Sequence, residues 1–388
     1  MNRRSFLAVT LGLTASSVLT GCSTQTTATL KVRLLNGSVP AQLLNEFRSY
    51  LRQLSASELR NLKLEFTPET QLQSLFSLLQ NWVRQPAATT SGSPLQWLPG
   101  LGDRTPKPTD LVLIGHYWLS KAVAQKLIHP LEPESLKGWK ELSQNQQWQQ
   151  LVTRNDQGRL DPNGKVWGVP HRWGTTVIAY RKDILQQRGI AFPTDWNDLW
   201  RPELQGHISV LDQPREVIGL TLKKLGQSYN TSDISKVPQL QAELDALQRQ
   251  VKLYSSDNYL QPLLLGDTWV AVGWSTDVLP VMQRYREIAA VIPQSGTALW
   301  ADLWVNPVST VLPTLASQWI DFCWQPQIAQ QISLRSNGTS PVVTEVPGNR
   351  YREQIRLTSA QLQRSEFLLP LTTSVQQQYD ALWQTIRT

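Results

Sequence analysis

The chain has 388 residues, 40% of them hydrophobic and 17% charged, so it is long enough for two globular domains with ample cores. Its formal net charge is +7, and the lysines and arginines are spread without a basic run, which argues against a nucleic-acid-binding surface. The two cysteines, Cys22 and Cys323, and four histidines without paired spacing argue against a disulfide framework and a zinc site, so no metal or cofactor is expected.

The N-terminus has the order of an export signal. Arg3 and Arg4 precede an apolar stretch from Phe6 to Leu19, which is too short and too rich in Ser, Thr and Gly to span a bilayer. The Leu-Thr-Gly-Cys tetrapeptide that ends at Cys22 resembles the lipobox of bacterial lipoproteins. This resemblance implies a signal peptide over residues 1–21 and an acylated Cys22 on the periplasmic face of the cell membrane. The arginine pair leaves the general and twin-arginine export routes open, and a buried N-terminal helix is the alternative to export.

Strand and helix patterns alternate along the rest of the chain, after a polar tether at residues 22–29. The predicted strands are Leu30–Leu35, Leu111–Ile114, His207–Leu211, Trp269–Trp274 and Ile288–Ile292. The predicted helices are Pro40 to about Leu54, about Gln71 to Val83, and a segment with Leu240, Leu244, Leu247, Val251 and Tyr254 on one face. A stretch dense in Pro, Gly, Ser and Thr, Pro86–Pro108, predicts a surface insertion. This alternation predicts an α/β fold with largely parallel sheets, whose ligands lie outside the carboxyl ends of the strands.

Several motifs follow one another in a fixed order. They are Trp167–Asp183, then Thr194–Gly206 with the pattern W-x-D-L-W-x-P-x-x-x-G, then Asp212–Thr231, Trp274, and the Trp-Ala-Asp of residues 300–302. Together they resemble the spermidine/putrescine-binding periplasmic proteins, and the resemblance runs from roughly Leu111 to Ser340. Such proteins are the receptor subunits of ATP-driven importers.

The resemblance implies a receptor without enzymatic activity. It is expected to be a monomer that binds spermidine or putrescine and delivers it to ABC permease subunits with a cytoplasmic ATPase. The implied fold is the type II periplasmic-binding-protein fold, two discontinuous α/β lobes joined by hinge crossings with the ligand closed between them. On this chain the first lobe takes residues 30–128 and 302–344. The second lobe takes residues 129–301 and 345–388.

A polyamine site needs two kinds of wall. Aromatic faces cover the methylenes and attract the ammonium groups, and carboxylates neutralise charges that closure removes from water. Carried over from the family, the aromatic residues are Tyr117, Trp274 and Trp300, and the carboxylates are Glu216 and Asp302. Three further positions are assigned more weakly: Asp212, Gln213 and Glu366.

The residues taken alone leave other roles open. Glu216 falls in the first turn of a predicted helix, where the helix dipole favours an acid for structural reasons. Asp302 lies between Trp300 and Trp304 on an alternating aromatic strand, which favours contact with a ligand. Trp274 suits core packing and ligand stacking equally well, and Cys323 suits a buried apolar thiol.

Two departures from the family pattern concern the ligand. The family's first loop carries a Trp and a Tyr, whereas this chain has Asn-Gly-Ser-Val-Pro at residues 36–40. One family acid is replaced by Gln213, with Asp212 beside it, and Glu366 is a candidate to restore the charge. The alternatives are therefore a receptor for another amine, such as a quaternary ammonium, or for an unrelated solute. More distant ones are a secreted glycoside hydrolase using Glu216 and Asp302, and a lipid-anchored scaffold with an unused pocket.

Overall fold

The computed structural model describes residues 28–54, 62–84, 107–342 and 350–387. The predicted signal peptide, Cys22 and nearly all of the predicted insertion lie outside the described residues. None of the helices in the described ranges is both long and apolar enough to cross a membrane.

Thirteen strands are formed by the described residues. They are β1 Ala28–Leu35, β2 Leu62–Glu69, β3 Leu111–Gly115, β4 Ile128–His129, β5 Thr153–Arg154, β6 Lys165–Val166, β7 Val169–Arg181, β8 Ile208–Val210, β9 Val251–Tyr254, β10 Val270–Trp274, β11 Ile288–Val291, β12 Ala298–Pro307 and β13 Glu366–Phe367.

Fifteen helices surround the strands in the described ranges. They are α1 Gln42–Leu54, α2 Leu72–Arg84, α3 Leu119–Ala124, α4 Trp139–Leu142, α5 Gln146–Val152, α6 Lys182–Gln187, α7 Pro214–Lys224, α8 Leu240–Gln250, α9 Leu260–Leu265, α10 Ser275–Arg284, α11 Thr314–Cys323, α12 Pro326–Arg335, α13 Arg350–Gln354, α14 Ser359–Arg364 and α15 Thr373–Arg387. Short 3₁₀ turns occupy His116–Trp118, Pro133–Ser135, Trp196–Trp200, Pro202–Leu204 and Ile234–Lys236.

Eleven of these strands form two groups that share β7, and β5 pairs with β6 in a separate two-stranded sheet. The order is β2-β1-β3-β12-β7-β10-β8-β9, with β11 beside β7 and with β4 and β13 beside β12. Strand β1 is parallel to β2 and β3, and β8 is parallel to β9 and β10. Residues 169–175 of β7 pair with β12, whereas residues 176–181 pair with β10 and β11. One 13-residue strand therefore crosses from one group to the other.

Each group has its own hydrophobic core. The first core contains the buried face of α1, with Leu43, Phe47 and Leu51 at a spacing of four residues, and the fully buried strand β3. Two further clusters lie on opposite sides of the second group. Side chains of β7 alternate between these clusters, with Ile178 in one and Val177 in the other, as the two-residue period of a strand requires.

The α/β alternation predicted from the sequence is confirmed, with three differences. The sheets are mixed, because β7 and β11 run antiparallel to their neighbours and β12 runs antiparallel to β3, β4 and β7. The helix predicted through Tyr254 ends at Gln250, and β9 follows it because residues 251–254 pair with β8. Apolar side chains from Leu131 to Val169 pack in the first core, which differs from the lobe boundary placed at residue 129. Cys323 is buried, as predicted.

Candidate functional site

Side chains from both groups meet on one face of β7. Arg172, Gly174 and Thr176 are spaced by two residues and so project to the same side of the strand. Each lies opposite a predicted site residue, and the pairs are Arg172 with Asp302, Gly174 with Trp300, and Thr176 with Trp274. We call these six residues, together with Glu216, the β7 face. Four of the five principal residues predicted from the sequence therefore lie side by side where the two groups join.

Glu216 reaches the β7 face from the first turn of α7, which begins at Pro214. Its carboxylate accepts hydrogen bonds from the Thr176 hydroxyl, at 3.1 and 3.0 Å to the two oxygens. The Trp274 indole N–H donates to the same group at 3.3 Å. Glu216 is only 4% exposed, and this burial raises the pKa of its carboxyl from 4.5 to about 7. The structure therefore holds an acid among neutral donors.

The neighbouring cation, Arg215, is engaged elsewhere. Its guanidinium donates to the Tyr229 carbonyl at 3.1 Å, to the Asn230 side-chain oxygen at 2.9 Å and to the Leu369 carbonyl at 3.0 Å. Its charge lowers the pKa of Glu216, but burial of the carboxyl has the larger effect. Arg215 thus links the C-terminal segment to α7, and these hydrogen bonds do not go to Glu216.

Asp302 is also buried, but it has a charged partner. The Arg172 Nε donates to Asp302 Oδ2 at 2.7 Å, and the two side chains are 5% and 3% exposed. Burial raises the pKa of the Asp302 carboxyl, and the guanidinium partly offsets that rise. The sequence analysis treated Asp302 as free to neutralise a ligand, and in the structure Arg172 already neutralises it.

The two indoles are fixed by close packing. Trp300 lies across Gly174, where a Cβ atom would overlap the ring, and its indole N–H donates to the Thr175 carbonyl at 3.3 Å. The backbone N–H of Trp274 donates to the Tyr259 hydroxyl at 3.1 Å. Both rings are partly exposed, so each presents some surface to solvent.

Asp277 is a carboxylate that the sequence analysis missed. It lies in the first turn of α10 and accepts a 2.9 Å hydrogen bond from the Tyr259 hydroxyl. The side chain is exposed, yet the surrounding protein raises the pKa of its carboxyl, and the charge of Arg172 lowers it. Because the Trp274 backbone N–H donates to the same Tyr259 hydroxyl, Asp277 lies one hydrogen-bonded residue away from Trp274. Its position three residues after Trp274, at a helix start, was the signal available in the sequence.

Tyr117 lies next to this group in the 3₁₀ turn that follows β3. Its side chain is half exposed, and the surrounding protein still raises the pKa of its hydroxyl to about 12, with a contribution from the charge of Asp302. The preceding Gly115 pairs with Asp302 across β3 and β12. Tyr117 is therefore close to Asp302, at the carboxyl end of a parallel strand as predicted.

The three weaker candidates have other partners. Asp212 is exposed and pairs with Arg387 at 3.6 Å. Gln213 is exposed, and its amide lies 3.5 Å from the Ser256 hydroxyl. The Glu366 carboxylate accepts from the Tyr229 backbone N–H at 2.7 Å and from the Ser228 hydroxyl at 3.0 Å, so it holds a loop instead of restoring a charge to the β7 face.

The first loop supplies no aromatic wall. Asn36 and Gly37 are exposed, and Ser38 is buried with its carbonyl oxygen 3.0 Å from the His171 ring nitrogen. Within the described ranges, no three or more His, Cys, Asp or Glu side chains are grouped in a way that could hold a metal ion. The chemistry of the β7 face is therefore that of carboxylates, indoles and one guanidinium.

Replacing Gly174 by alanine is expected to displace Trp300 and weaken ligand binding. The added Cβ would overlap the indole and lie 2.7 Å from the Ser275 hydroxyl, so both side chains must shift. Overpacking of this kind typically costs about 1 to 3 kcal/mol of stability. Urea denaturation and calorimetric titration measure the two effects. In a Trp300→Phe background, the same change should cost much less, and equal costs in both backgrounds would contradict this packing.

Comparison with known families gives three results. A family model described as bacterial extracellular solute-binding protein matches residues 107–359, which is more than half of the chain. The chain is 27% identical over 224 residues to the spermidine/putrescine-binding periplasmic protein of Escherichia coli strain K12, covering 58% of this chain and 61% of that protein. It is 29% identical over 203 residues to the putrescine/cadaverine-binding protein of Pseudomonas aeruginosa, covering 49% and 57%. The matches thus span about three fifths of these relatives.

Solved structures show the same fold at low sequence identity. The spermidine/putrescine ABC transporter substrate-binding protein PotD of Streptococcus pneumoniae superposes with a TM-score of 0.72 at 17% identity, covering 93% of this chain and 98% of that one. The Tp0655 lipoprotein of Treponema pallidum gives 0.67 at 17% identity, covering 92% and 99%. The predicted periplasmic-binding-protein fold is therefore confirmed.

Proposed function

Because this chain belongs to the family of bacterial extracellular solute-binding proteins, we propose that it is an importer receptor that binds a polyamine or another amine at the β7 face. The observation that carries the proposal is Glu216, a buried carboxylate whose hydrogen-bond partners are a hydroxyl and an indole. A buried charge is costly unless an opposite charge joins it. An ammonium group of a ligand supplies that charge when it contacts Glu216.

The indoles support the same class of ligand. The Trp274 indole N–H points at Glu216, and the partly exposed residues Trp274 and Trp300 offer indole faces that a ligand cation or methylene chain can contact. Each good contact between a cation and an aromatic face contributes roughly 0.5 to 2 kcal/mol, and the faces also cover methylene groups. The names of the relatives in E. coli and P. aeruginosa, which refer to spermidine, putrescine and cadaverine, agree with this choice.

The family binds solutes and does not transform them, so the chain is not an enzyme. The hydrolase alternative also needs Asp302 as a reactive carboxylate, whereas Arg172 already holds that group at 2.7 Å. Transport requires partners, and we propose a permease with a cytoplasmic ATPase. The export signal and Cys22 support a protein anchored by lipid on the periplasmic face.

A receptor for a different amine is the second candidate. By the resemblance, residues 36–40 correspond to the family loop that carries a Trp and a Tyr, and this stretch has no aromatic residue, which favours a ligand that needs fewer aromatic contacts. Calorimetric titration of the purified protein with putrescine, cadaverine, spermidine and glycine betaine, with maltose as a neutral control, separates the candidates. We expect one-site binding of an amine and a change in Trp fluorescence. Binding of maltose or of no solute would contradict an amine receptor.

Amine binding is expected to weaken below about pH 7. The pKa of Glu216 is about 7 without ligand, so its carboxyl takes up a proton below that pH and loses the charge that attracts the ammonium group. The apparent association constant should then fall roughly tenfold per pH unit. Calorimetric titrations at pH 8, 7, 6 and 5.5 measure this slope. Affinity that is constant from pH 8 to pH 5.5 would show that the ligand does not use Glu216.

A further inference from the structure

The charges around the β7 face do not match a trication. The β7 face holds the carboxylates of Glu216 and Asp302 and the guanidinium of Arg172. The carboxylate of Asp277 is joined to Trp274 through the Tyr259 hydroxyl. Arg172 bonds Asp302 directly, whereas the hydrogen bonds described for Glu216 and Asp277 come from hydroxyls and an indole. Two carboxylates therefore remain for a ligand. Glu216 lies at the indole nitrogen of Trp274, and Asp277 lies near its backbone nitrogen, through the Tyr259 hydroxyl.

Arg172 is held too firmly to release Asp302. Besides the 2.7 Å bond to Asp302, its Nη1 donates to the Ser336 carbonyl at 2.7 Å. Its side-chain carbons pack against Gly338, where an added Cβ would lie 3.1 Å from Cδ. Its guanidinium lies 5.9 Å from the centre of the Trp300 ring, and the residue is 4% exposed. A ligand cation cannot replace the guanidinium without leaving it buried and unpaired.

We propose that Arg172 determines specificity by occupying Asp302, so that the β7 face takes a diamine and rejects a triamine. This inference rests on the proposed function and narrows its ligand. A diamine places its ammonium groups at Glu216 and Asp277 with its methylenes along Trp274. The third ammonium group of a triamine finds its carboxylate already paired with Arg172, beside a positive charge.

The first test compares ligands on the unaltered protein. Calorimetric titration at pH 8 should show putrescine or cadaverine binding at least tenfold more tightly than spermidine. Equal or tighter binding of spermidine would overturn the role of Arg172 and leave the amine receptor intact. Absence of binding by these three amines and by glycine betaine would instead remove the proposed function, so the two failures are distinguishable.

The second test frees Asp302. The Arg172→Met variant should bind spermidine at least tenfold more tightly than the unaltered protein does, because the freed carboxylate accepts the third ammonium group. The double variant Arg172→Met/Asp302→Asn is the matched control, and it should lose that gain. If the single variant is poorly folded alone, spermidine should raise its melting temperature more than putrescine does. The proposal would be overturned if the single variant still bound the diamines more tightly than spermidine. It would also be overturned if the double variant kept the increased affinity for spermidine.

Discussion

Replacing Glu216 by glutamine is expected to stabilise the unliganded protein by about 3 kcal/mol at pH 8 and to abolish amine binding. The pKa of this buried carboxyl rises from 4.5 to about 7 on folding. Such a group stabilises the fold fully below pH 4.5, and the contribution is lost as the pH rises to about 7. Glutamine has no charge to bury, and its side-chain oxygen still accepts from Thr176 and Trp274. The variant therefore removes the free-energy cost of burying the Glu216 charge, a cost that a ligand cation would offset in the unaltered protein.

Urea denaturation at pH 8 and pH 4 measures this effect. The two proteins should differ at pH 8 and agree at pH 4, where both side chains are neutral. The exposed Glu353, paired with Arg356 on the surface, gives the control variant Glu353→Gln, which should change stability by less than about 0.5 kcal/mol at either pH. A Glu216→Gln protein that is less stable than the unaltered one at pH 8 would show that the ionised Glu216 stabilises the fold.

Replacing Asp302 by asparagine is expected to have the opposite sign, a loss of about 3 to 5 kcal/mol. The change leaves the buried Arg172 without its anionic partner, although the bond from Arg172 to the Ser336 carbonyl remains. Urea denaturation at pH 8 measures the loss. The double variant Arg172→Met/Asp302→Asn buries no charge at this pair and should recover much of the stability. If the double variant lost as much stability as the Arg172→Met and Asp302→Asn variants lose together, a direct ion pair would be contradicted.

The sequence predicted the elements and motifs that position the β7 face. Tyr117 follows a short apolar strand and Trp274 ends one, and such strands end at the edge where ligands lie in α/β sheets. Pro214 starts a helix whose first turn holds Glu216, as predicted. Local patterns sufficed for these residues because each is placed by its own strand or helix.

The sequence did not reveal the pairing of Arg172 with Asp302. The two residues are 130 positions apart, and their contact depends on the antiparallel register of β7 against β12. The local pattern around either residue carries no information about that register. The strand at Val251–Tyr254 was missed for a similar reason, since a short apolar run fits a helix or a strand until its neighbour is known.

A crystal structure of the protein with 1,4-diaminobutane would test the central claim most directly. We expect one ammonium group within about 3 Å of the Glu216 carboxylate and the methylenes against Trp274 and Trp300. Asp302 should stay bonded to Arg172. A diamine bound elsewhere, for example in the hollow of about 540 Å³ lined by residues between Glu69 and Asn81, with the β7 face empty, would contradict it.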